Sequence, residues 1–294
     1  MSSPKPVIFT AIPVAFADDG SVSIEGNRAI LSKCAASGVD GAFVLGTTGE
    51  FPSLGDDERR ALTRLSLDIL ADKRVVVHVG APSLYQVEKL IAQSREEGAR
   101  EIAVITPYFL PSTDAALLQF YTRVSALSDG LGVFVYLFKD RTGVTVSPRL
   151  MAEIARLPNI IGVKISGESL ETVGKYREAL PAEFLVFTGS DREIGRLTDV
   201  GAQGVISGIA SVYPEPFVAM AEAVAAGDTA ERTRLQGDID AVVDGLLGDI
   251  ERLKAGLRRQ GIAAGRARMA VGAPDAATDA LLDALHAKYG MVTQ

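Results

Sequence analysis

The 294-residue chain has no tryptophan, two histidines and one cysteine, and aromatic residues make up only 6% of it. A single cysteine, Cys34, permits no intrachain disulfide, which suits a reducing compartment. It falls in a helical stretch, where a small buried group needs no further role. His78 has no second histidine near it and His286 belongs to a distal helix, so His78 reads as a satisfied core histidine and no metal site is expected. Nucleotide and zinc motifs are missing as well. Positive charge is scarce, with 30 Lys and Arg against 37 Asp and Glu, a net charge of −7 and a pI near 5.1, so no basic stripe is available for nucleic acid. No uninterrupted apolar run of about 18 residues occurs, and residues 1–6 carry no apolar signal core. The chain reads as a cytoplasmic protein whose partners are small molecules or copies of itself, with no nucleic acid and no membrane.

What the chain does have is short apolar runs in regular succession, at 7–12, 41–45, 75–79, 102–105, 133–136, 160–164, 185–187 and 204–207. Each is mostly apolar throughout, as strands buried on both faces of a parallel sheet are. Between them, 59–71, 85–98, 115–129 and 149–157 carry apolar residues at helical spacing. Eight βα units predict an α/β fold of the (β/α)₈ TIM-barrel type over 1–227, favoured over an open sheet because no Gly-x-Gly-x-x-Gly follows the first strand. Gly38, Gly98 and Gly201 are expected as left-handed caps before the next strand. Helices are predicted at 215–227, 229–261 and 275–290, the last two forming a C-terminal helical extension over 228–294.

The barrel expectation directs attention to the C-terminal ends of the strands, where such folds place their chemistry. Lys164 stands out there, inside the apolar run Asn159-Ile160-Ile161-Gly162-Val163-Lys164-Ile165. A desolvated amine loses charge and becomes a nucleophile able to form an imine. The other lysines, Lys254 among them, fall at the N-terminus, on polar helix faces or in turns, where solvated charge is expected. Strand alternation places Gly162 and Lys164 inward and Ile161, Val163 and Ile165 toward the helices. Thr47, Thr48 and Gly49 can form an anion cradle of two hydroxyls and free amides, or an ordinary turn. Tyr136 can shuttle protons from its strand end or sit as a buried tyrosine. Asp191 can touch substrate or hold a loop; Ser207 ends strand eight.

Together Thr10-Ala-Ile, Gly46-Thr-Thr-Gly-Glu50, Thr106-Pro-Tyr108, Tyr136 with Arg141-Thr-Gly143, Gly162-Val-Lys164 and Gly204-Val-Ile-Ser207 are similar to motifs of a known group. In order and spacing, over about 7–216, the chain resembles the dihydrodipicolinate synthase and N-acetylneuraminate lyase superfamily. The resemblance implies class I aldolase chemistry on pyruvate or another 2-oxo acid through a Schiff base on Lys164, with no separate cofactor. It also implies that Thr47, Thr48 and the Gly49 amide bind the carboxylate and that Tyr136, held by the Thr47 hydroxyl, carries protons. Arg141 matches an arginine near the second substrate, Ile206 a residue whose carbonyl lines the pocket, and homotetramers are usual in the family. Two departures point to a different second substrate. Phe109 stands where synthases carry a second tyrosine that crosses the dimer, and Tyr136-Leu137-Phe138-Lys139 replaces a Tyr-Asn-x-Pro stretch. Pro82 and Gln86 replace the Asn and Glu of lysine-sensing synthases, so feedback inhibition by lysine is not expected.

The readings that follow are an aldolase joining a 2-oxo acid and an aldehyde, in the manner of a dihydrodipicolinate synthase, or a lyase cleaving a 2-keto-3-deoxy sugar acid. In the second, Asp191 and Ser207 would bond the sugar hydroxyls. A dehydratase using the same imine and a silent barrel that only binds a 2-oxo acid remain as alternatives.

Overall fold

The computed structural model describes residues 4–290; the first three residues of the N-terminal stretch and the last four of the 228–294 extension lie outside the described residues. Strands β1 (Val7–Ala11), β2 (Gly41–Val44), β3 (Arg74–His78), β4 (Glu101–Ile105), β5 (Gly132–Leu137), β6 (Ile160–Ile165), β7 (Leu185–Thr188) and β8 (Gly204–Ser207) are parallel and close in sequence order. The ring shuts where Val7 to Thr10 of β1 register with Gly204 to Ser207 of β8. The fold is the TIM barrel that the eight apolar runs predict.

Helices α1 (Ile24–Ala36), α2 (Asp56–Ile69), α3 (Leu84–Glu96), α4 (Asp114–Leu127), α5 (Lys139–Thr142), α6 (Pro148–Ile154) and α7 (Leu170–Ala179) alternate with the first strands. A 3₁₀ helix, Asp191–Val200, follows β7, and α8 (Glu215–Ala226) follows β8. Side-chain caps start most of them: Ser23, Ser83, Thr113, Ser147 and Ser169 each accept from an amide of the first turn, which an uncapped helix would leave unpaired.

Alternation along the strands builds two apolar zones. Ile8, Val77, Val135 and Val163 pack outward under the helices, while Phe9, Phe43, Val76, Phe134 and Phe187 fill the barrel. The inner phenylalanines stack, Phe9 and Phe134 lying 5.3 and 6.0 Å from the Phe187 ring. Below them Arg74 covers the Phe9 and Phe134 faces at 5.7 and 5.6 Å and pairs with Glu101 at 2.6 Å. The N-terminal end of the barrel is thereby plugged by an aromatic and ionic layer.

Four expectations are corrected. Ile161, expected to face the helices, packs against the inner cluster, because the β5–β6 register shifts between Val133 and Phe134. Gly98 and Gly201 are left-handed, at φ 91° and 69°, but Gly38 is not; a Cβ there would sit 3.0 Å from Val218 Cγ1, so Gly38 serves the contact with α8. The predicted 229–261 helix is two helices, α9 (Thr229–Leu246) and α10 (Ile250–Arg259), since Leu247 and Gly248 turn left-handed and Asp249 caps the second. Lys254, expected in solvent, is fully buried and paired with Glu50 at 2.6 Å.

The last helix, α11 (Ala276–Tyr289), returns to α9 and α10, where Arg259 pairs with Asp279 at 2.9 Å and Asp283 at 2.7 Å. Between α10 and α11, residues 260–275 form an irregular segment that reaches back to the loops following β1 and β2. Among the described residues no helix is long and apolar enough to cross a membrane.

Candidate active site

Lys164 enters the barrel from the upper half of β6, in register with Tyr136 of β5. Its Nζ lies 4.3 Å from the centroid of the Phe43 ring and 4.4 Å from that of Tyr136. Only 5% of the residue is exposed, and burial brings the amine down to about 7, with the Asp191 charge offsetting part of that effect. A substantial neutral fraction therefore exists near neutral pH.

The Tyr136 hydroxyl sits 3.2 Å from Thr47 Oγ1. Burial raises this phenol, while the hydroxyls of Thr47 and Ser166 pull it back by favouring the phenolate. Ser166 escaped the sequence reading although it lies two residues beyond Lys164 on the same strand path, the spacing that would have placed it on the same face.

The turn after β2 supplies Thr47, Thr48 and Gly49, and here the cradle needs a correction. The Gly49 amide is not free; it donates to the Gly46 carbonyl at 3.0 Å. The amides of Thr47 and Thr48 donate to no group among the described residues, so they, with the threonine hydroxyls, are the donors available to an anion. Gly49 is needed for space, since a Cβ would meet Ile12 O at 3.2 Å and Leu45 Cα at 3.3 Å. Thr48 faces the start of the turn after β8, its Oγ1 3.2 Å from where a Gly208 Cβ would stand.

Asp191 opens the 3₁₀ helix after β7, and its Oδ1 is shut from solvent without a hydrogen-bond partner. Burial pushes this carboxyl up to about 6, against the opposing pull of the Ser207 hydroxyl and the Lys164 charge. Ser207 is fully buried and its Oγ accepts from the Ala210 amide at 2.9 Å, which holds the turn after β8. Ile206 belongs to the inner cluster.

Arg141, in α5, is exposed and makes no salt bridge among the described residues; its guanidinium lies 5.6 Å from the Phe138 ring. It borders a cavity of about 230 Å³ at the C-terminal end of the barrel, together with Thr47 and Tyr108. Ile250, Met269 and Val271 of the C-terminal extension form the opposite wall. Nothing in their sequence pattern signals this, because Ile250 at the start of α10 and Met269 and Val271 beyond it meet the cavity only through the fold of the extension. Larger hollows, about 630 and 540 Å³, lie on the flank beside α1 and α8 and at the plugged end near Arg74, away from Lys164. The 230 Å³ cavity is the relevant one because Thr47, whose hydroxyl lies 3.2 Å from that of Tyr136, forms part of its lining.

His78 is fully buried, but it is only half satisfied. Nδ1 lies 3.0 Å from the Leu45 carbonyl, whereas Nε2 has no partner among the described residues. Burial, reinforced by the nearby Arg59 charge, holds it well below its ordinary value and so neutral. Among the described residues no group of three His, Cys, Asp or Glu side chains is placed to hold a metal ion. Phe109 is 92% exposed, on a backbone with φ 82°.

Comparison with known proteins identifies a family. The sequence profile of the dihydrodipicolinate synthetase family matches residues 5–283. A 4-hydroxy-tetrahydrodipicolinate synthase of Exiguobacterium is 30% identical over 292 residues, which span 98% of this chain and 99% of the relative. That of Thermotoga maritima is 35% identical over 215 residues, 71% of this chain and 72% of the relative. The crystal structure of dihydrodipicolinate synthase from Thermotoga maritima superposes with a TM-score of 0.90 at 28% identity, covering 98% of this chain and 99% of that one.

Proposed function

The chain belongs to the dihydrodipicolinate synthetase family and is a lyase, and from that premise we propose that it makes or breaks a carbon–carbon bond next to a 2-oxo acid through an imine on Lys164. The observation that supports this best is the amine itself: buried, brought down to about 7, and lying against the ring of a tyrosine hydrogen-bonded to the turn that carries Thr47.

The chemistry follows from the positions. Thr47 and Thr48 present amides and hydroxyls to the carboxylate of pyruvate, which sets its carbonyl carbon toward Lys164 Nζ. The neutral amine adds to that carbon and water leaves, giving the imine. The Tyr136 phenolate, left when it protonates the departing hydroxide, takes a proton from the adjacent methyl group, giving an enamine whose carbon bonds to the aldehyde carbon of the second substrate. The resulting alkoxide takes a proton from Tyr136, which is replenished through the Thr47 hydroxyl. Water then hydrolyses the imine and releases a 4-hydroxy-2-oxo acid, with Lys164 restored. Cleavage is the same sequence reversed. This route needs no added cofactor and fits a cytoplasmic enzyme.

Asp191, with an unpartnered oxygen and a charge that acts on Lys164, faces the substrate in this scheme, with Ser207 at the end of β8. Arg141, without a salt-bridge partner, meets the second substrate. Tyr85, Phe109 and Leu110 are large apolar side chains exposed by 68%, 92% and 70%, which supports self-association, with the tetramer as the expected state. Sedimentation equilibrium measures it, and a monomer at all concentrations rules it out.

The imine is tested by incubating the protein with pyruvate, reducing with borohydride and mapping the adduct by mass spectrometry. The expected product is a single carboxyethyl group on Lys164. An adduct on another lysine, or none with pyruvate or a larger 2-oxo acid, removes the mechanism.

A further inference from the structure

The segment after α10 is fastened to the anion-binding turn by one carboxylate. Glu50 ends that turn in a left-handed conformation, φ 53°. Its Oε1 receives Lys254 Nζ at 2.6 Å and its Oε2 the Met269 amide at 2.8 Å. The neighbouring Arg268 forks onto Glu58 through two contacts of 2.8 Å and reaches the Ser53 carbonyl at 2.8 Å. Both the backbone and a side chain of this segment are therefore held, so the position of the Met269 and Val271 side chains is built in before any ligand arrives.

Those two side chains, 40% and 39% exposed, face the 230 Å³ cavity that begins at Thr47. Phe51, Pro52, Ile105 and Ile250 complete its apolar lining. Its polar groups are the hydroxyls of Thr47, Tyr108 and Thr142 and the guanidinium of Arg141; among the described residues no carboxylate, amide or imidazole lines it. A chain of several hydroxyls placed here would exchange water for carbon and leave most of its donors unpaired. A single ring or a short branched alkyl group would match both the size and the surface.

We infer that the C-terminal segment carrying Met269 and Val271 is a specificity wall, and that it selects an aldehyde with an apolar aryl or branched-alkyl body over a polyhydroxylated one. The inference rests on the imine reading above. It places the apolar body of the aldehyde between Phe51 and the wall, with its carbonyl end toward Thr47, whose hydroxyl lies 3.2 Å from that of Tyr136.

The test compares kcat/KM for pyruvate with benzaldehyde and with isobutyraldehyde against pyruvate with glyceraldehyde, in the wild type, Met269→Asn and Val271→Asn. The wild type is expected to favour at least one apolar aldehyde by about 10-fold or more. Each variant is expected to reduce the apolar-to-hydroxylated ratio by about 10-fold, in the range that a changed apolar pocket contact produces. The ratio is read because a partly misfolded variant lowers both rates together and leaves it unchanged. If borohydride traps pyruvate on Lys164 but glyceraldehyde reacts faster, no apolar aldehyde reacts, or neither variant moves the ratio, the wall does not select. Failure to trap any 2-oxo acid on Lys164 instead removes the imine reading on which the inference stands.

Discussion

Glu50 and Lys254, 204 positions apart, form an ion pair at 2.6 Å in which neither side chain is exposed. It joins the turn that presents Thr47 and Thr48 to the segment that walls the cavity. The Lys254 ammonium also donates to the Arg266 carbonyl at 2.9 Å, and Glu50 accepts the Met269 amide, so the charges are well provided with partners.

Removing one member of this pair leaves the other buried and uncompensated. Lys254→Met is expected to lower stability by about 3–5 kcal/mol, read as the shift in urea midpoint. Lys254→Met combined with Glu50→Gln should cost less than the sum of the two single changes. Additive losses would show that the two side chains do not act as a unit.

The pH dependence of imine formation follows from Lys164. With the amine near 7, the rate of borohydride-trapped adduct formation should climb between about pH 6 and 8 and level off above. An ordinary lysine would continue to gain up to about pH 10. The Asp191 charge raises the amine, so Asp191→Asn should move the midpoint toward acid. A midpoint that stays put would remove Asp191 from the electrostatics of the amine.

The same depression has a stability consequence. Because the folded amine sits near 7 and the unfolded one near 10.5, the folded state binds fewer protons between those values. The cost is full below about pH 7 and fades as pH rises toward 10.5. Lys164→Met should therefore stabilise the barrel at pH 6 by on the order of a few kcal/mol, with the gain shrinking at pH 10. Thermal unfolding at the two pH values tests this, and a gain independent of pH would assign it to packing alone.

Tyr136→Phe is expected to lower kcat by at least about 10²-fold with a smaller effect on KM, because the ring still packs against Phe43 at 5.7 Å while the hydroxyl near Thr47 is gone. Turnover close to wild type would mean that water or another group carries the proton.

Phe109 cannot donate a proton, so condensation of pyruvate with aspartate semialdehyde is expected to be slow and to improve in Phe109→Tyr. Steady-state assay of both proteins decides it. A fast synthase reaction unaltered by the substitution would show that position 109 does not govern this step.

The barrel was legible because strands buried on both faces must be apolar throughout, and eight such runs at regular spacing leave few architectures. Lys164 was legible for the same reason, as a charge in a stretch that tolerates none. Periodicity could not reveal the β5–β6 register shift that turns Ile161 inward, nor the left-handed Leu247 that divides α9 from α10, since both depend on how neighbouring segments meet. Lys254 looked like any helical lysine because its partner lies 204 positions away. The apolar strand that carries Lys164 is thus a property of local sequence, whereas the Phe43 and Tyr136 rings against its amine come from other strands, and the wall of the cavity exists only once the C-terminal segment folds back over the strand ends and the buried Glu50 carboxylate fixes it there.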